Sequence, residues 1–81
     1  MYPEGWLIDP EGKFLFLFQK DPKSSGKNVK GFIDKWKASN GTPTTFQNRQ
    51  EVSSTDAISA WIELIEDGWR RVERQFGERA A

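Results

Sequence analysis

The sequence predicts an α+β domain: an antiparallel meander sheet of three to four strands with one amphipathic helix packed on one face. Three observations lead there. Residues 13–20 read KFLFLFQK, a short apolar run of strand-favouring residues with polar neighbours on both sides. Residues 53–68 read SSTDAISAWIELIEDG, in which Ala57, Ile58, Trp61, Ile62, Leu64 and Ile65 recur with a period of about 3.6 and form one stripe. Between such segments stand DPEG, DPKSSGKN and ASNGTPT, each rich in turn formers.

The elements follow in order. GWLID (Gly5 to Asp9) is a short extended segment. In Asp9-Pro10-Glu11-Gly12, proline pre-sets φ at the second turn position and glycine supplies positive φ, so a hairpin turn with a glycine bulge returns the chain into KFLFLFQ. Residues 21–28 form an exposed loop. VKGFIDKWK (Val29 to Lys37) is a third strand anchored by Val29, Phe32 or Ile33, and Trp36, with Gly31 marking a bulge. Asn40-Gly41 turns the chain into TFQNRQEV (Thr45 to Val52), polar enough for an edge strand. Ser53 with Asp56 three residues on matches a capping box, with Ser54 and Thr55 as alternative caps, and Gly68 ends the helix. Glu66 and Asp67 sit unfavourably at the negative end of the helix dipole, where Arg70 and Arg71 just beyond are placed to compensate. Trp69 to Phe76 is either a short C-terminal strand or an extended tail. The domain is expected to span residues 1–76, with 77–81 as a frayed tail.

KFLFLFQK poses a packing problem. Phe14, Phe16 and Phe18 point to one side of the strand, Leu15 and Leu17 to the other. The aromatics are expected to face the helix. The leucines then need a second cover: the tail, Trp36, the long loops, a second copy, or another protein. An antiparallel sheet can leave one face to water, but that face is normally polar.

Composition narrows the function. At 81 residues the chain holds one domain, and such a domain buries only about 60–65% of its unfolded surface. Four tryptophans and six phenylalanines compensate for an apolar share of 36%. With no cysteine and no histidine, there is no disulfide, no thiolate or imidazole metal site and no ordinary nucleophile–base pair. A cysteine-free chain without a recognisable signal peptide or spanning segment fits the cytoplasm, with no membrane and no cofactor expected. Ser24-Ser25 and Ser53-Ser54 read as loop and cap residues, and Glu63 and Asp67, spaced i, i+4, as a solvated acidic face rather than a cation site. No catalytic or metal-ligating residue is assigned.

The charge sums to zero but is unevenly spread. Residues 20–37 carry six lysines against two aspartates, a net of +4, and residues 54–68 carry four carboxylates and no basic residue. The basic stretch, with Phe32 and Trp36 interleaved, raises nucleic-acid binding through Lys27, Lys30, Lys35, Lys37, Arg70, Arg71 and Arg74. Against this stand the neutral total and the common use of lysine to protect sheet edges. The favoured reading is a small protein-interaction or regulatory module without catalytic activity, partnered by another protein or, as a homodimer, by itself. Trp6, Leu15, Leu17, Trp36 and Trp69 are its candidate interface residues, because buried aromatic anchors dominate many interfaces.

GWLID near the start, DAISAWIELIEDGW after the middle and RRVE behind it resemble a family of small uncharacterised cyanobacterial proteins, domain of unknown function 1651. The matching residues are Gly5, Trp6, Leu7, Asp56, Ala57, Ile58, Trp61, Leu64, Gly68, Trp69 and Val72. The two ends of the chain carry the likeness; residues 20–50 do not. Where the family often has a proline soon after that valine, this chain has Glu73-Arg74-Gln75. The resemblance implies a cyanobacterial or cyanophage cytosol, no established activity and no catalytic residues to transfer.

Overall fold

The computed structural model of the protein describes residues 2–24, 26 and 29–73. It holds β1 (Gly5–Ile8), β2 (Phe14–Lys20), β3 (Lys30–Ser39), β4 (Thr42–Ser53), α1 (Ser54–Glu66) and β5 (Arg70–Val72). All strand pairs are antiparallel and the sheet order is β4-β3-β2-β1-β5. The meander and helix are those expected. The C-terminal segment resolves as a short strand on the outer edge of β1, with Trp6 opposite Val72. Residues 77–81 of the expected tail lie outside the described residues.

Local chemistry shapes each turn. The Asp9 carboxylate accepts from the Lys13 N–H at 2.7 Å and the Phe14 N–H at 3.2 Å, and Gly12 takes φ +74°. Asn40 and Gly41 both have positive φ, as a two-residue primed turn between twisted strands requires. Ser53 caps α1, its hydroxyl accepting from the Asp56 N–H at 3.2 Å. At the other end the Gly68 N–H reaches the Ile65 carbonyl at 3.0 Å and the Trp69 N–H the Leu64 carbonyl at 2.9 Å, a Schellman closure around Gly68. The Arg71 guanidinium lies against Gly5. Arg70 and Arg71 both belong to β5, and the last helical turn carries no basic residue.

β2 is the central strand, and it is covered on both faces. On one, Phe18 meets Trp61 edge-on at 5.0 Å and Phe16 stacks on Trp69 at 4.9 Å. Ala57, fully buried, lets the helix approach closely, with Leu7 and Ile33 beneath. On the other face Trp6, Ile8 and Leu15 form a second buried cluster, closed by Leu17, Trp36, Ala38 and Val72. Part of that cover is the β3–β4 hairpin. Its pairing shifts register between Lys35 and Trp36 and again between Lys37 and Ala38. Such irregularities sharpen twist. The hairpin tip consequently curls over the face, so that Pro43 and Thr44 share a cavity with Trp6 and Leu17.

Two expectations need correction. The helix stripe is wider than its contact: Ala57, Ala60, Trp61 and Leu64 pack on the sheet, while Ile58, Ile62 and Ile65 are 42%, 50% and 42% exposed. Gly31 marks no bulge, for it pairs regularly with Lys20 and Val52. A Cβ there would meet the Gln19 carbonyl and the Tyr2 ring, so glycine is needed to seat Tyr2 against the sheet. Tyr2 is buried, its hydroxyl lacks a hydrogen-bond partner among the described residues, and desolvation pushes its pKa up to about 12.

Two outcomes follow from this packing. Gly31→Ala should destabilise the domain by roughly 1–3 kcal/mol in denaturant titration, the usual cost of overpacking. Tyr2→Phe should stabilise it by about 1 kcal/mol at neutral pH, because it removes an unsatisfied buried hydroxyl. Between pH 10 and about 12 the unfolded chain releases the Tyr2 proton while the folded chain holds it. Stability should therefore fall as pH rises through that window, and the fall should be smaller in Tyr2→Phe.

Candidate functional site

The residues expected to form an interface divide between the two faces. Trp6, Leu15, Leu17 and Trp36 lie on the face opposite the helix; Trp69 lies on the helix side against Phe16. Trp6 is 3% exposed and Leu15 wholly buried, both within this one chain. Leu17 and Trp36 are half-buried and line the cavity under the hairpin tip. Trp36 also meets Phe46 edge-on at 5.4 Å.

The same face carries a polar network that sequence reasoning missed. Asp34 is 4% exposed, and a buried carboxylate must be paired. Arg49, opposite it on β4, donates from Nε at 2.7 Å and from Nη2 at 2.9 Å, and the Gln19 amide donates at 3.1 Å. The hydrogen bond to Asp34 is the main cause raising the Arg49 pKa beyond its ordinary value. The guanidinium also lies 4.3 Å from the Phe32 ring centroid, a cation–π contact. Register brings these side chains together from β2, β3 and β4, so their spacing in the chain offers no signal.

The described basic residues of the candidate patch are spread over the sheet. Lys35 and Lys37 are on the helix side, where the Lys35 ammonium sits 4.6 Å from the Phe14 centroid and 5.9 Å from that of Phe16. Lys30 lies near the far end of β3, and Arg70 and Arg71 lie across the sheet on β5, with the Arg71 guanidinium against Gly5. Lys27 and Arg74 lie outside the described residues.

The helix presents the other notable surface. Glu63 and Asp67 border Gln50 of β4 along a shallow groove. Helical geometry then puts Ile58, Ile62 and Ile65, at i, i+4 and i+7, on the flank away from β4. The periodicity revealed a broad apolar stripe but not which part of it stays outside. No helix among the described residues is long and apolar enough to cross a membrane.

Topology and surfaces define a small α+β domain built on a single antiparallel sheet. The chain belongs to the family described as protein of unknown function (DUF1651), whose model matches residues 4–76. The match runs through residues 20–50, which the resemblance at the two ends left aside. No curated protein and no solved structure matches the chain.

The Asp34–Arg49 pair should be strongly coupled. Arg49→Met keeps an unbranched apolar side chain but removes the guanidinium from both Phe32 and Asp34, and should cost about 2 kcal/mol. Asp34→Asn in that background should recover at least half of the loss, with non-additivity of about 1 kcal/mol in a double-mutant cycle.

Proposed function

We propose that this protein is a protein-interaction module without catalytic activity, and that its contact surface is the isoleucine flank of α1. The observation that carries the reading is the exposure of Ile58, Ile62 and Ile65 in one row. Three half-exposed isoleucines give a patch on the order of a few hundred Å², more than scattered surface residues but less than the about 800 Å² per partner of a stable interface. The contact is therefore weak and reversible. A row about 10 Å long with this spacing suits the apolar face of another helix.

Charge selects the occupant. Residues 54–68 carry Asp56, Glu63, Glu66 and Asp67 with no lysine or arginine. By helical spacing Glu66 stands nearest the isoleucine row, while Asp56, Glu63 and Asp67 lie further round the helix. A second copy of α1 would bring the same acidic helix, whereas a basic amphipathic helix of another protein would be attracted by it. Catalysis has little to work with: the chain has no histidine or cysteine, and buried Asp34 is occupied by Arg49 and Gln19. The proposal sets the module in the cytoplasm, in keeping with a cysteine-free chain.

A labelled leucine–lysine amphipathic peptide and a scrambled control of equal composition test this by fluorescence anisotropy. The ordered peptide should bind, more weakly as salt rises, and the Ile58→Ser/Ile62→Ser/Ile65→Ser variant should lose about tenfold or more in affinity. All three side chains are exposed, so the variant should keep its melting temperature. Equal binding of the scrambled peptide, unchanged binding by the variant, or a solution dimer that the same substitutions dissociate would each overturn the assignment.

A further inference from the structure

The cavity under the hairpin tip has a volume of about 810 Å³, within the range of small-molecule sites. Trp6, Leu17, Trp36 and Pro43 supply its apolar walls. Its polar lining has a definite bias. Glu4 and Asp34 are its acidic members, and no lysine or arginine among the described residues lines it. Asp34 is neutralised by Arg49, so the uncompensated charge is that of Glu4. The Lys20 N–H holds that carboxylate, donating to Oε2 at 3.1 Å.

The Gln19 amide donates to Asp34 and the Thr44 hydroxyl to the Lys37 carbonyl. The indole N–H groups of Trp6 and Trp36 are buried and have no hydrogen-bond partner among the described residues. Being buried, they do not reach the cavity space. Half-buried Trp36 therefore offers that space ring carbon, not N–H. An anion would find the Glu4 carboxylate and no basic side chain among the described lining residues. A cation would find the electron-rich Trp36 indole and a carboxylate, the pairing by which aromatic sites recognise ammonium groups.

We propose that this cavity binds a free small organic cation, a substituted ammonium group on a short apolar body. The ammonium sits against the accessible part of the Trp36 indole and is drawn by Glu4, while Leu17 and Pro43 contact the apolar part. The site is separate from the helix flank and stands whether or not that flank binds a partner.

The probes are choline and its uncharged isostere 3,3-dimethylbutan-1-ol, titrated into the full chain. Chemical shifts of the Trp6 and Trp36 indoles and the Leu17 methyls are the readout. Choline should shift these signals and bind about tenfold or more tightly than the alcohol, the scale of a desolvated cation–π contact. Glu4→Gln, at an exposed position that leaves the fold intact, should weaken choline several-fold and leave the alcohol unchanged. Trp36→Leu should abolish the preference for choline. No shift with choline, shifts confined to other residues, equal affinity for the two probes, or a Glu4→Gln variant that binds choline as well as the parent would each overturn the proposal.

Discussion

A central strand that is apolar on both faces needs two covers, and the described chain has one helix. That constraint on β2 organises the rest of the molecule. Phe16 and Phe18 take the helix, with Trp61 and Trp69 completing the layer. Leu15 is left for the opposite face, where it is wholly buried. The second cover comes from Trp36, Ala38 and Val72 and from the long β3–β4 hairpin, bent by two register shifts. A flat hairpin of the same length would leave Trp6, Ile8 and Leu15 open to water, and a contiguous apolar patch of that kind invites association.

The way each cover is built decides which surfaces remain. The helix approaches closely through Ala57 and Ala60, so the part of its stripe in contact with the sheet is narrow. Three isoleucines are left outside on the flank. The hairpin, by contrast, bends over the sheet and leaves a half-open hollow beneath its tip. Asp34 and Arg49 tie β3 to β4 on the face that the hairpin covers, and satisfying that buried carboxylate makes the pair sensitive to any change of register. One face thus ends with an excess of apolar surface and the other with a cavity. The two proposed binding surfaces are consequences of the same packing problem.

Much of the fold was legible because it rests on local chemistry. Asp9-Pro10-Glu11-Gly12, Asn40-Gly41, the Ser53 cap and the Gly68 stop each act within a few residues, and all four behave as their types require. The alternation in KFLFLFQK correctly sent the phenylalanines toward the helix and the leucines away from it. Non-local features were hidden. A period of about 3.6 gives the width of an apolar stripe but not the width of its contact, so Ile58, Ile62 and Ile65 were expected inside. Gly31 looked like a bulge because its neighbour Tyr2 lies far off in sequence. Trp36 and Leu17 were singled out and do line the cavity, but Glu4 and Pro43 join them only through the bend of the hairpin.

The most direct test of this account asks whether Leu15 is covered by its own chain. An equimolar mixture of isotope-labelled and unlabelled protein allows contacts within one chain to be separated from contacts between chains by filtered nuclear Overhauser measurements. The account predicts cross-peaks from the Trp36 indole to the Leu15 methyls within a chain, and none between chains. Cross-peaks between chains at Leu15, or the loss of the Trp36–Leu15 contact in dilute solution, would contradict it and return the second face of the sheet to a partner.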